Sequence, residues 1–254
     1  SMQETSALSK LSSGSRITSA SDDAAGLAIS TRISSDITTL QQAATNAAQA
    51  TSILQTADGG ASNISDILAR MKSLASESAS GTVADSSRAY INSEFTQLKG
   101  EIDSIATGTR YSSQSLLDGS SVFSSGVAVL VGSTSADTIT ITLTNLTASS
   151  LGVTSLDVST LSAATSAMSA LDSAIDSVSS ARAEIGAQES RFNFSADSIS
   201  TQTQNLQSAN SAIKDVDIAA EQATLSSAEV KTQAAVSAET AANQMPQYLL
   251  KLLG

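Results

Sequence analysis

The stretch LSAATSAMSALDSAIDSVSSARAEIGAQESRFNFSADSISTQTQNLQSANSAI, residues 161–213, decides the fold. Within it Leu161, Ala164, Met168, Leu171, Ile175, Val178, Arg182, Ile185, Glu189, Phe192, Ala196, Ile199, Thr203, Leu206, Asn210 and Ile213 follow steps of three and four residues without a break. That spacing keeps one stripe of an α-helix facing a partner helix. Arg182, Glu189, Thr203 and Asn210 are polar interruptions of the stripe. At roughly 1.5 Å per residue, a helix of this length is a rod tens of ångströms long rather than part of a ball.

Working upstream, the same spacing recurs in Ile33, Ile37, Leu40, Ala44, Ala47, Thr51 and Leu54. Ser21 is a cap for this helix, and Asp22 and Asp23 place negative charge at the positive end of its dipole, which is a structural role rather than a catalytic pair. Gly59-Gly60 is expected to stop the helix, with a second segment through Ile64, Leu68, Met71 and Leu74 to a break near Gly81. A third carries Ile91, Phe95, Leu98, Ile102 and Ile105 and ends near Gly108. The period then changes to two: Val127, Val129 and Val131 alternate, a turn-like stretch covers 132–137, and Ile139, Ile141 and Leu143 alternate again, which predicts a β-hairpin.

These readings give a mainly α fold, an elongated antiparallel helical bundle or coiled coil with a small β-hairpin region. The divisions are a connector at 1–20, an N-terminal helical arm at 21–108, hairpin and loops at 109–158, the long helix at 159–214 and a C-terminal helix at 215–254. Ser1-Met2 reads as a vector-derived start and the pattern opens partway, as if a preceding helix had been cut away. The Ala-rich tail carries Val230, Val236, Met245, Leu249, Leu250, Leu252 and Leu253, too apolar at its end for water, so it needs a partner. Pro246, the sole proline, is expected to kink or break that helix.

Composition narrows the function. The chain has no His, Cys or Trp, so the commonest general base, metal ligands and thiol nucleophile are missing, and no catalytic, cofactor or metal site is expected. Aromatics are 3% of residues, too few for a thick globular core. A net charge of −11 without clustered Lys or Arg argues against nucleic acid and against an anionic membrane surface. No run of about 18 apolar residues predicts membrane insertion.

LSSGSRI at 11–17 followed by SASDDAAGLAI at 19–29 resembles the N-terminal signature of bacterial flagellins. RFN at 191–193, ANQMPQYLLKLLG at 242–254, and LGVTSLDV at 151–158 after the hairpin are similar to later segments of that family, in the same order. The resemblance implies a short flagellin without variable outer domains: a secreted, extracellular structural subunit whose paired terminal helices self-assemble into the flagellar filament for motility. It implies assembly residues Val236, Met245, Leu249, Leu250, Leu252 and Leu253 in the C-terminal core helix, and no cofactor. Its implied partners are other subunits, a secretion chaperone, the export apparatus, and hook-associated and cap proteins. An innate Toll-like receptor contact is carried over to Arg70, Leu74 and Glu94, although Ala69 and Ser73 depart from the family pattern. On the residues alone, Arg70 and Glu94 are solvated helix charges and Leu74 is core. Two other readings stand beside this one: a hook–filament junction protein, and a polysaccharide-binding surface adhesin, for which Tyr90, Tyr111, Phe123 and Arg110 are the available contact residues.

Overall fold

The computed structural model describes residues 2–253, with side chains described through residue 246. Five helices dominate: α1 Met2–Ser13, α2 Ala24–Ser78, α3 Asp85–Gly108, α4 Leu161–Lys214 and α5 Ile218–Leu253. Four short strands, β1 Arg110–Tyr111, β2 Gln114–Ser115, β3 Val127–Leu130 and β4 Thr138–Ile141, form two antiparallel pairs. The fold is mainly α with a small β region. The chain divides into two compact units, one of Ser1–Thr38 with Gln202–Gly254 and one of Thr39–Thr201.

The larger unit is organised by heptad seams. On α2 the buried seam runs through Leu40, Ala43, Ala47, Ala50, Leu54, Ala57, Ala61, Ile64, Leu68, Met71 and Ala75, in steps of three and four, with Ile53 and Leu74 buried beside it. On α4 they are Ala164, Ala167, Leu171, Ala174, Val178, Ala181, Ile185, Phe192 and Ile199. Small residues at such positions let helix backbones approach closely. Asp58 pairs with Arg182 and Lys72 with Asp172, so α2 and α4 run antiparallel here. On α3, Phe95 and Ile102 complete the core. The expected seam on α2 is shifted in part: Ala43 and Ala50 are buried where Ala44 and Thr51 had been read, and these two are half-buried flanks. Adjacent alanines make the choice between 43 and 44 invisible to a hydropathy pattern.

Arg88, almost fully buried, closes the α2–α3 turn: its Nε donates to the Ser78 carbonyl at 2.8 Å and its Nη2 to that of Ser80 at 2.9 Å. Three polar groups on α3 strap down the segment before α4. Asn92 accepts from the Val158 N–H, Lys99 donates to the Leu156 carbonyl, and Asp103 accepts from the Ala148 N–H. The β3–β4 register pairs Val127 with Ile141 and Val129 with Ile139, and Ile139 and Ile141 point into the core. A lone two-stranded hairpin is marginal in water. Here side-chain amides occupy its edges: Gln188 on α4 exchanges two hydrogen bonds with the backbone of Thr142, and Asn46 on α2 donates to the Leu130 carbonyl.

Three expectations are corrected. The connector at 1–20 is helical over Met2–Ser13, and only 14–23 links it to α2. The helix does not stop at Gly59-Gly60, because the seam continues in register through Leu54, Ala57 and Ala61. Gly60 serves close approach instead: a Cβ there would collide with the Thr109 side chain and lie 2.8 Å from Leu117 Cδ1. Nor does Pro246 break α5, which continues to Leu253; only one backbone donor is lost, close to the helix end.

The two glycines therefore respond oppositely to the same change. A Cβ at Gly59 meets nothing, so Gly59→Ala is expected to stabilise by about 0.5–1 kcal/mol through helix propensity. Gly60→Ala is expected to destabilise by about 1 kcal/mol net, since overpacking costs more than propensity returns. Thermal unfolding followed by circular dichroism measures both.

Candidate assembly interface

The smaller unit is built around the two chain termini. Gly14, with φ +67°, follows the last turn of α1 in the left-handed conformation that favours glycine. The next residues lock onto the end of α4. Arg16 N–H donates to the Lys214 carbonyl at 2.6 Å, Arg16 Nη2 to that of Ile213 at 2.7 Å, and Val216 N–H to that of Gly14 at 3.1 Å. Ser15 bridges to Asp215. These donors satisfy carbonyls that the end of a helix would otherwise leave open.

Acidic residues start the helices. Asp23 accepts from Gly26 N–H at 2.8 Å and so caps α2, a role read in the sequence for Ser21, whose hydroxyl instead pairs with Ser19. Asp22 accepts from the Thr18 hydroxyl and from the backbone N–H groups of Ser19 and Thr18. Those bonds, the Thr18 hydroxyl first, hold its carboxyl down at about 2. Asp217 caps α5 through Ala219 and Ala220 N–H.

From this junction α1 and α5 run antiparallel, with Thr232 against Glu4. The pair is thin. Among the described residues, Ala7 and Ala228 are its only buried apolar side chains. A cleft of about 450 Å³ lies between the helices, lined by Gln3, Ser6 and Lys10 on one side and Glu221, Thr224 and Lys231 on the other. Several larger apolar residues of α5 are left exposed instead: Val236, which lines a recess beside Gln3 of α1, is 55% and Met245 65% exposed, and Ile218 and Val230 are also exposed. The side chains of Leu249, Leu250, Leu252 and Leu253 lie outside the described residues.

In the larger unit Arg70 on α2 and Glu94 on α3 form an exposed ion pair, with Nε and Nη2 both donating to one carboxylate oxygen at 2.9 and 2.7 Å. Leu74, one turn beyond Arg70, is 2% exposed. It belongs to the core and offers no surface for a receptor, which corrects its reading as a contact residue. Of the polar interruptions on α4, Arg182 pairs with both oxygens of Asp58. Glu189 has a buried Oε1 without a hydrogen-bond partner. Burial, and then the charge of Asp58, raises the Glu189 carboxyl above its ordinary value. Among the described residues no group of three His, Cys, Asp or Glu side chains could hold a metal, and no helix is long and apolar enough to cross a membrane.

Family models place this architecture. Residues 1–122 match the bacterial flagellin N-terminal helical region and residues 168–253 the bacterial flagellin C-terminal helical region. A flagellin from Halalkalibacterium halodurans is 36% identical over 249 residues, covering 97% of this chain and 90% of that protein. The chain belongs to the flagellin family. It is a structural subunit of the bacterial flagellar filament, an extracellular assembly.

Listeria monocytogenes flagellin is 34% identical to this flagellin over 98% of its chain and 91% of the relative, and a 30.7 kDa flagellar filament core protein of Treponema maltophilum is 34% identical over 97% and 91%. The crystal structure of Bacillus cereus flagellin superposes with a TM-score of 0.56 at 29% identity, covering 65% of this chain and 94% of that one. A putative flagellar hook-associated protein from Vibrio parahaemolyticus reaches a TM-score of 0.63 at 15% identity, which shows a shared fold alone. Flagellin relatives of nearly full length disfavour the junction-protein and adhesin readings.

Sequence reading missed the α1–α5 pairing and the Arg16 lock. The available signal was Ala7 and Leu11 one turn apart before Gly14, a stripe too short to stand out.

Glu189 yields a signed prediction. A carboxyl whose folded pKa is raised favours the fold when protonated, so stability is lost as pH rises through the ordinary carboxylate range to that raised value. Above that raised value the cost is fully present. Glu189→Gln in this flagellin is expected to raise the melting temperature at pH 7, and the gain should shrink towards pH 4, with Asp58 and Arg182 unchanged in both proteins.

Proposed function

We propose that this flagellin polymerises by docking its α1–α5 pair against the same elements of neighbouring subunits. The observation that carries this reading is the outward exposure of Val230, Val236 and Met245 on a helix that buries almost nothing within its own chain. Burying each such side chain fully is worth roughly 1.5–3 kcal/mol. Repeated, non-self-complementary contacts between identical subunits generate an open helical filament whenever the rotation between neighbours does not close into a ring. The C-terminal leucines, Leu249, Leu250, Leu252 and Leu253, are proposed as assembly residues as well.

A terminus that finds its partners only in the polymer needs shielding beforehand. The proposed partners are accordingly a secretion chaperone that covers α5, the flagellar export apparatus, and hook-associated and cap proteins at the filament ends. Motility follows from the filament. For a Toll-like receptor, Arg70 and Glu94 are the proposed surface contacts, with Leu74 holding their helix from within the core.

Seeded growth tests the reading. Purified chain added to short flagellar fragments is expected to lengthen them under electron microscopy. Val236→Asp places an unpaired charge in the proposed contact and is expected to raise the concentration needed for growth by about tenfold or more, leaving monomer helicity unchanged. Equal growth by the variant would overturn the assignment of α5.

A further inference from the structure

The α4 stripe carries polar interruptions that assembly leaves without a purpose, Arg182, Glu189 and Asn210 among them. All three are half-buried. Arg182 donates to both oxygens of Asp58 on α2, and Asn210 accepts from the hydroxyl of buried Ser30 on α2 at 2.7 Å. Ser30 and Asp58 lie four heptads apart, and so do Arg182 and Asn210. Counted in residues, the smaller and the larger unit each pair α2 with α4 in the same register. Glu189, one heptad beyond Arg182, keeps a buried Oε1 without a hydrogen-bond partner, and burial and then the charge of Asp58 raise its carboxyl.

The apolar seam of α4 does not by itself choose that register. Its buried residues include two columns of seven-residue period, Ala167, Ala174 and Ala181 in one and Leu171, Val178, Ile185, Phe192 and Ile199 in the other. A slide of α4 by one heptad, about 10 Å at the helical rise, sets alanine where alanine was and one larger apolar side chain where another was. The polar column does not survive the same slide. In one direction Glu189 takes the place of Arg182, and two carboxylates meet across the seam. In the other Ile175 takes that place, and Asp58 is left alone. Removing one partner of a desolvated ion pair costs far more than the intact pair contributes. Polar residues in a helical seam fix register in this way, at some expense in stability.

We propose that Asp58, Arg182 and Glu189 form a register code for the α2–α4 pair: Arg182 draws α4 to one position on α2, and Glu189 excludes the position one heptad away. Ser30 and Asn210 repeat the choice in the smaller unit. The code gives the unpartnered carboxyl of Glu189 a purpose that its effect on stability does not. A helical filament is built from identical contacts, and a rod free to settle in two registers would present two different surfaces.

The chain has no cysteine, so spin labels on Ser73→Cys of α2 and Ser190→Cys of α4, both exposed, report register as a distance within the full chain. With the code intact a single narrow distance is expected; two would overturn the proposal. An apolar variant, Asp58→Leu with Arg182→Leu, Glu189→Leu and Asn210→Leu, is expected to keep its helical signal and to show a second distance about 10 Å from the first. One unchanged distance in that variant gives the register to the backbone straps at Asn92, Lys99 and Asp103 and overturns the code. A second variant exchanges the charges, Arg182→Glu with Glu189→Arg, and also carries Asn210→Leu. It is expected to shorten the distance by about 10 Å, as the arginine at 189 seeks Asp58. Should the apolar variant lose its helical signal, the exchange decides by itself, and an unchanged distance there overturns the code.

Discussion

The fold depends on an unbroken heptad seam of small residues. Along α2, from Leu40 through Ala43, Ala47, Ala50, Leu54, Ala57 and Ala61 to Ala75, every third or fourth side chain is buried, and α4 repeats the rule from Ala164 to Ile185 before thinning to Phe192 and Ile199. With so few aromatics the chain cannot make a deep core, so it obtains burial by bringing backbones together over a great length. Other features of the larger unit are consequences. Gly60 is bare so that Thr109 and Leu117 reach the helix. The hairpin survives with two strands because Gln188 and Asn46 occupy its edges.

The smaller unit inverts this economy. Its helices are held at one end by a dense set of backbone bonds, Arg16 to Lys214 and Val216 to Gly14, while along their length Ala7 and Ala228 alone are buried among the described apolar side chains. Such a pair is precisely tethered and weakly packed, with its larger apolar groups turned outward. That combination suits the proposed function, in which the tether sets where α1 and α5 leave the junction and neighbouring copies would supply the missing burial. The same division separates a folded larger unit from termini whose order is coupled to polymerisation in the proposed function.

Most of the fold was legible because its signals are periodic. The extent of α4 was read to within a residue of its ends, although Ala167, Ala174 and Ala181 are buried where Met168, Ile175 and Arg182 had been read, and the alternation of Val127, Val129, Ile139 and Ile141 identified the hairpin that forms. The misreadings share a cause. Gly59-Gly60 and Pro246 were treated as punctuation, yet local propensity amounts to about 1–3 kcal/mol per residue, which a continuous seam outweighs at Gly60 and a position near the helix end reduces at Pro246. Met2–Ser13 was missed because a helix that buries one alanine leaves almost no hydropathy pattern. Leu74 was carried over as a contact although its place in the stripe with Leu68 and Met71 already marked it as core. Surface pairing such as Arg70 with Glu94 has no sequence period, since it joins residues 24 apart on different helices.

The most direct test of the account is amide hydrogen exchange on the same chain as free subunit and as grown filament. The account predicts that α2 and α4 between residues 40 and 199 are strongly protected in both states, while α1 and α5 exchange quickly in the free subunit and become protected only in the filament. Slow exchange of α5 in the free subunit, or continued fast exchange in the filament, would contradict the claim that the terminal pair is completed by its neighbours.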